Sequence, residues 1–339
     1  MKKKRISITD IANALQVTPS TVSRALNGGG KVSEKKRLEI ISLAKKLGYR
    51  PNPIAKSLLA NRTQTIGLIL PEFTHHFYSR VLAGIESITS KAGYQLLICT
   101  SNENQNQEIK STLTLLDARV DGILATISKM NDKFEHIQEV MDSGTPLVLV
   151  DRFSEEIETP YVISDDFKGA FSAVDYLCQI GCKNILHIKG PDNLSTTFNR
   201  FMGYKEALRK HNMPLKEELV LESSDPKLVE KIRLCLTRHQ VDGAFTYSDY
   251  LAFEIYKLAS QLKIQIPEEL SVIGYADEPI STYISPTLST VNQQPFEMGA
   301  MSARYLLNKI NDPEVALEVK NLETKLMIRE SCKVVETQS

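Results

Sequence analysis

Between Thr18 and Arg24 the chain reads Thr-Pro-Ser-Thr-Val-Ser-Arg, which packs four hydroxyls and one guanidinium into two helical turns. On a helix beginning at Pro19, the side chains of Pro19, Ser20, Thr21, Ser23 and Arg24 face outward while Val22, Ala25 and Leu26 turn inward. Hydroxyls can reach base edges or phosphates, and a guanidinium can give a bidentate contact to guanine in a major groove. The other chemically suggestive residues are weaker. Cys178 and Cys182 stand four apart in an apolar helical pattern, but no second Cys/His pair completes a zinc set, and they read as packed core thiols. His75 and His76 are adjacent, point in different directions on most backbones, and read as loop residues rather than an acid–base pair or metal ligands. No G-x-x-x-x-G-K-[ST] loop, G-x-G-x-x-G turn, G-x-S-x-G elbow or His-Glu-x-x-His pair is present. No catalytic residue, metal or cofactor is therefore expected.

The elements that must position Ser20 to Arg24 are legible nearby. Ser7 followed by Asp10 fits a helix N-cap, and Ile8, Ile11, Ala12 and Leu15 recur on one face, which predicts a helix from Ile8 to about Leu15. Thr18 can cap a second helix with Pro19 at its first position, where the missing N–H costs nothing. Asn27 and three glycines stop it. Ser33 then caps a third helix, whose Leu38, Ile41, Ala44 and Leu47 are expected to complete a small core before Gly48. Two short helices across a sharp turn, braced by a third, make a helix-turn-helix.

Charge supports a polyanion partner for this head. The whole chain of 339 residues is formally neutral, with 41 residues of each sign. Residues 1–63 nevertheless hold 14 Lys or Arg against 3 Asp or Glu, leaving 27 against 38 for the rest. The head is thus at +11 and the body at −11, which should hold the body away from DNA. Lys2–Arg5, Lys31, Lys35 and Arg37 can attract the phosphate backbone without reading sequence. Five scattered cysteines suit reduced thiols, and no apolar run reaches the length of a membrane span, so a soluble, cytoplasmic, nucleoid-associated protein is expected.

The stretch 50–61 begins with a cap-plus-proline signal but runs for barely two turns, too short to be a stable isolated helix in water. Taken in order, Ile8-Thr-Asp-Ile-Ala, Val22-Ser-Arg-Ala-Leu-Asn27 and Ala55-Lys-Ser-Leu58 resemble the lactose/galactose repressor family. The resemblance implies that this stretch is a hinge helix forming on DNA, paired with its copy in a dimer. Ala55 would touch the minor-groove floor and Leu58 would wedge into the central base step, unstacking and bending the duplex. The DNA-contacting set is then Ser7, Thr18, Pro19, Ser20, Thr21, Ser23, Arg24, Asn27, Asn52, Ala55, Lys56 and Leu58. Pro19 departs from the polar or aromatic residues common at that position in the family, which leaves the operator sequence open.

From Thr65 onward short β-branched and leucine-rich runs alternate with helical patterns, the signature of parallel sheets wrapped by helices. Val120-Asp-Gly-Ile-Leu-Ala-Thr126 recurs as Val241-Asp-Gly-Ala-Phe-Thr-Tyr247, each after a strand, a turn and a helix. The α/β body should therefore be two similar subdomains, each a doubly wound parallel sheet, sharing a cleft beyond their strand ends. The same family, whose body is similar to periplasmic sugar-binding proteins, fits this duplication. The expected division is a head at 1–49, a hinge and linker at 50–63, and a body at 64–339. Within the body one subdomain takes about 64–163 and 295–322, and the other about 164–294 and 323–339. The resemblance implies effector contacts from Phe77, Tyr78, Asp151, Arg200, Asp249 and Asp277. Ala276 stands where many relatives place an acidic, hydroxyl-binding residue.

The expected protein is a sequence-specific transcription regulator, a repressor if it occludes a promoter as the family implies. A carbohydrate-like effector would set its affinity for double-stranded operator DNA. No leucine heptad follows the last strand near Lys325–Arg329, which favours a homodimer over a coiled-coil tetramer. Two rival classes are a sugar- or nucleotide-transforming enzyme with an accessory DNA-binding head, and an architectural protein that bends DNA without sensing anything.

Overall fold

The computed structural model describes residues 6–28, 32–49, 62–129, 133–316 and 319–334, in two units, Met1–Thr63 and Gln64–Ser339. Asn52, Ala55, Lys56 and Leu58 of the expected hinge lie outside the described residues, as do Lys2–Arg5 and Lys31.

The head holds α1 (Ile8–Ala14), α2 (Pro19–Leu26) and α3 (Glu34–Lys46). Ser7 and Asp10 form a reciprocal capping box: the Asp10 N–H donates to Ser7 Oγ at 3.2 Å, and the Ser7 N–H donates to Asp10 Oδ2 at 2.8 Å. Thr18 caps α2 by accepting from the Thr21 N–H, with Pro19 at the first helical position. Ser33 occupies the cap position of α3 but makes no capping side-chain bond. The third helix also turns a different face inward from the one its spacing predicts. Ile40 and Ala44 are buried with Ile11, Ala12, Val22 and Ala25, whereas Leu38, Ile41 and Leu47 are 60%, 43% and 38% exposed. Apolar residues at 38, 40, 41, 43, 44 and 47 draw two overlapping stripes on this helix. The stripe joining Ile40 to Ala44 puts a small residue where α3 meets Ala12 and Ala25, a choice made by the neighbours and not by periodicity.

The body contains two six-stranded sheets with one topology used twice. The first runs β11-β5-β4-β3-β1-β2, from β1 (Thr65–Leu70), β2 (Gln95–Thr100), β3 (Gly122–Ala125), β4 (Leu147–Val150), β5 (Tyr161–Ser164) and β11 (Lys320–Leu322). The second runs β12-β10-β9-β8-β6-β7, from β6 (Ile185–Lys189), β7 (Val220–Glu222), β8 (Gly243–Thr246), β9 (Ser271–Tyr275), β10 (Ser289–Asn292) and β12 (Lys325–Met327). The repeated sequence segments supply β3 and β8, which hold the same place in their sheets. Among the described residues all pairings are parallel except β10 with β12, which is antiparallel. The chain passes between the sheets after β5, after β10 and after β11.

Helices cover both sheets: α4 (His76–Thr89), α5 (Gln105–Asp117), α6 (Glu135–Asp142) and α11 (Pro295–Asn311) on the first, and α7 (Asp166–Gln179), α8 (Ser195–Lys210), α9 (Leu228–Arg238) and α10 (Asp249–Leu262) on the second. Glycines permit the tightest helix pairs. A Cβ on Gly299 of α11 would lie 2.0 Å from the Val81 carbonyl oxygen of α4, and one on Gly203 of α8 would lie 2.3 Å from the Phe167 carbonyl oxygen of α7. The strands β1, β3, β4, β8 and β9 are buried along almost their whole length, as expected of parallel strands covered on both faces. Among the described residues no helix is long and apolar enough to cross a membrane.

Candidate effector cleft and nucleic-acid interface

On the head, Pro19, Ser20 and Arg24 of α2 are exposed, and Thr21 and Ser23 are half-buried beside them. Thr18 Oγ1 lies 2.8 Å from Ser20 Oγ and 2.9 Å from Thr21 Oγ1, so the cap and the first turn share one hydroxyl cluster. The Asn27 amide donates to Ser23 Oγ at 3.4 Å and closes the far end of the same face. Ser7 is exposed, but its hydroxyl is occupied by Asp10. What α2 presents is a short row of hydroxyls ending in an exposed guanidinium.

In the body, a cavity of about 450 Å³ opens where the carboxyl ends of the two sheets meet. Its walls come from the segments that follow strands: Phe77 and Tyr78 after β1, Glu103 after β2, Lys129 after β3, and Asp151 and Arg152 after β4. From the other side come Thr196 and Arg200 after β6, Tyr247 to Leu251 after β8, Tyr275, Ala276 and Glu278 from β9 onward, and Gln293 after β10. Parallel strands all aim their carboxyl ends one way, so residues distant in sequence converge there.

Arg200 is the best-held group. It is 5% exposed, its Nε and Nη2 each lie 3.1 Å from Asp166 Oδ1, and its Nη1 donates to the Tyr247 carbonyl at 2.7 Å. Its guanidinium carbon sits 3.8 Å from the Tyr275 ring centroid and 4.4 Å from that of Tyr247. Burial works against the charge, but Asp166 and the two tyrosines raise the Arg200 pKa above its ordinary value. Arg152 is likewise occupied: Nη1 and Nη2 donate to the two carboxylate oxygens of Glu103 at 3.0 and 2.9 Å, and Nη1 also donates to the Ile127 carbonyl. Although burial opposes it, Arg152 holds the Glu103 carboxyl below its usual range.

Asp151 has no comparable partner. Tyr78 donates its hydroxyl to Asp151 Oδ2 at 3.3 Å, and Arg152 Nε stands 3.7 Å away. Burial, reinforced by the charge of Asp166, pushes its pKa up to about 6. Asp151 also has φ 68°, and Ala276 and Asp277, after the equivalent strand β9, have φ 115° and 57°. Left-handed backbone at both strand ends turns the chain sharply at the cavity wall.

Two of the expected effector residues have their carboxylates engaged elsewhere in the structure. Asp277 does not line the cavity; its carboxylate accepts from Arg329 Nη2 at 2.6 Å and from the Asn292 amide at 2.9 Å. Asp249 stands at the wall, but its buried carboxylate is held by three donors of its own subdomain. Oδ1 accepts from Thr290 Oγ1 at 2.6 Å, and Oδ2 accepts from the Glu278 N–H at 2.7 Å and Ser281 Oγ at 3.1 Å. Burial, against those bonds, pushes its pKa up to about 6. Phe77, Tyr78, Asp151 and Arg200 do come together at the cavity. Sequence reading missed Arg152, Glu103, Asp166, Thr196, Tyr247 and Tyr275. Of these Tyr247 had a signal, since it ends the repeated Val241–Tyr247 segment.

Comparison with known proteins places these features. Residues 7–52 match the model for bacterial regulatory proteins of the lacI family, and residues 174–332 match a periplasmic binding protein-like domain. The chain is 30% identical over 331 residues to the ribose operon repressor of Halalkalibacterium halodurans, covering 96% of this chain and 97% of that protein. Among solved structures, a transcriptional regulator CelR–cellobiose complex superimposes with a TM-score of 0.72 at 29% identity, covering 96% of this chain and 100% of that one. The lac repressor dimer bound to operator shares the fold, with a TM-score of 0.84 at 20% identity over 97% of this chain and 99% of that one.

Proposed function

Because this chain belongs to the lacI family of bacterial regulatory proteins and is a DNA-binding transcription repressor, we propose that the cavity between its sheets binds a carbohydrate or carbohydrate derivative that sets its grip on DNA. The observation that carries this reading is the charge balance of the cavity. Both guanidiniums are matched, Arg200 by Asp166 and Arg152 by Glu103, and Lys129 is a further lining cation; among the lining carboxylates Asp151, contacted by Tyr78 at 3.3 Å and by Arg152 at 3.7 Å, has room to accept from a ligand hydroxyl. Paired guanidiniums suit an uncharged, hydroxyl-rich ligand better than an anion, and the rings of Phe77, Tyr78 and Tyr247 offer apolar faces to a sugar ring. The volume falls in the range of small-ligand sites, roughly 300–1,000 Å³. The ribose operon repressor and the cellobiose complex are consistent with such a ligand.

In this reading α2 enters the major groove, with Arg24, Ser20, Thr21, Ser23 and Pro19 toward base edges and Ser7, Thr18 and Asn27 toward the backbone. Asn52, Ala55, Lys56 and Leu58 act in the minor groove, in a homodimer on a pseudo-palindromic site. The body takes 64–339, the hinge 50–63 and the head 1–49. The relatives are transcription regulators, and no step of catalysis is assigned.

Calorimetry of the full-length protein against pentoses, hexoses, cellobiose and their phosphates and acids tests the effector. An uncharged sugar should bind, and its phosphorylated form should bind at least about tenfold more weakly; tight binding of the phosphate alone would overturn the uncharged ligand, and no binding by any of these compounds would sink the carbohydrate reading. Arg200→Ala should lose the heat of binding and the ligand-dependent change in operator affinity while keeping operator affinity itself.

A further inference from the structure

Four residues meet across the mouth of the cavity, two from each sheet's half of the body. From the first come His75 and His76, at the N-terminus of α4; from the second come Tyr250, in the first turn of α10, and Glu278, after β9. The His76 N–H points at Glu278 Oε2 at 3.4 Å, and the Tyr250 hydroxyl points at the same oxygen at 3.5 Å. The His75 ring meets the Tyr250 ring edge-on with centroids 4.7 Å apart, while His75 Nε2 holds Glu72 at 2.7 Å. We propose that Glu278 is a clasp across the cleft mouth, which draws the N-terminus of α4 against the second subdomain and biases the body toward closure.

Glu278 is only 4% exposed, so its carboxylate has given up most of its water. Charge-assisted bonds to a carboxylate settle at about 2.7–2.9 Å, well inside both contacts seen here. A desolvated carboxylate whose donors stand too far off gains by their approach, and the donors sit on opposite sides of the cleft. The partial positive charge at a helix N-terminus adds to the pull, because His76 is the first residue of the 14-residue α4.

The base of the clasp is rigid where a clasp needs it to be. The Glu278 N–H donates to Asp249 Oδ2 at 2.7 Å, and the same carboxylate grips Ser281 and Thr290, so Asp249 is a positioning residue that fixes the 276–282 segment to α10 and β10. The moving end also leads to the ligand. Phe77 and Tyr78 follow His76 directly on α4 and line the cavity, so a shift of that first turn moves the aromatic wall. This role rests on the effector reading above for its purpose, whereas the contact rests on the geometry alone.

Amide hydrogen exchange of the unliganded, full-length protein tests it. Glu278→Gln keeps the shape and the backbone bond to Asp249 but removes the charge. It should lower protection of the His76 amide about tenfold and loosen residues 72–78, with β1 and β9 unchanged. Tyr250→Phe should leave the His76 bond in place and loosen it less than Glu278→Gln does. Unchanged protection at His76 in Glu278→Gln, or an equal loss in β1 and β9, would overturn the clasp. No ligand enters the measurement, so a failed carbohydrate screen would remove the effector reading without deciding this one, and the reverse also holds.

Discussion

Asp151, at the cavity wall, carries a cost in stability. In the unfolded chain an aspartate ionises near its ordinary value of 3.8, whereas burial lifts Asp151 to about 6 in the folded protein. Between those values the folded form keeps a proton the unfolded form has lost. Stability must therefore fall as pH rises through the window, with the loss complete above it and absent below pH 4. Asp151→Asn removes the charge, so its gain over wild type should be small at pH 4, under about 1 kcal/mol, and grow to about 3 kcal/mol above pH 7. Urea unfolding at pH 4 and pH 7.5 measures both, and a gain equal at the two values would refute the buried-charge explanation. Asp249 and Asp277 show why such roles are hard to read from sequence. All three aspartates sit just beyond the carboxyl ends of strands, yet Asp249 points back to Thr290 and Asp277 out to Arg329. Sequence marks the position; only the packed neighbours decide which way the carboxylate turns.

At the scale of elements, strongly apolar segments are legible even when short, and partly polar ones are lost. The buried runs of β1, β3, β4, β6 and β8 stand out as β-branched and leucine-rich stretches between helical patterns. By contrast Tyr161–Ser164, Ser289–Asn292 and Lys320–Leu322 are partly polar, and Lys320–Leu322 owes its pairing to Tyr161–Ser164, far away in the chain. Asp166, which holds Arg200, follows one of these unread strands, so the partner of the cavity arginine was unread with it. Helix α3 makes the same point by its orientation, because two stripes compete and tertiary contact selects Ile40 and Ala44. Gly299 lets this scale be tested. Within a helix, Gly→Ala ordinarily stabilises by roughly 1 kcal/mol. Here the new methyl would meet the Val81 carbonyl at 2.0 Å, backbone that cannot step aside. Gly299→Ala should thus destabilise by about 1–3 kcal/mol through separation of α4 and α11, read as a lower urea midpoint at unchanged slope. A neutral or stabilising result would mean that the two helices are free to part.

The whole molecule divides its charge as it divides its labour. The doubled topology was legible because Val120–Thr126 and Val241–Tyr247 repeat each other, and the two sheets place β3 and β8 alike. Fourteen basic residues against three acidic ones in 1–63, and 27 against 38 elsewhere, predict that the salt dependence of DNA binding arises in the head. Each Lys or Arg that neutralises a phosphate releases counterions and adds about 0.9 to the slope of log affinity against log salt. Leu58, by contrast, is apolar: wedged between bases it would add affinity through bending and contact without releasing an ion. Leu58→Ala should therefore weaken binding to a site selected from random duplexes about tenfold or more at every salt concentration, with the slope unchanged. Lys56→Ala should reduce the slope by about one if its charge meets a phosphate. Anisotropy titrations between 50 and 200 mM salt separate the two effects. Were Leu58→Ala to flatten the slope while sparing low-salt affinity, the leucine would be acting through the placement of charges and not as a wedge.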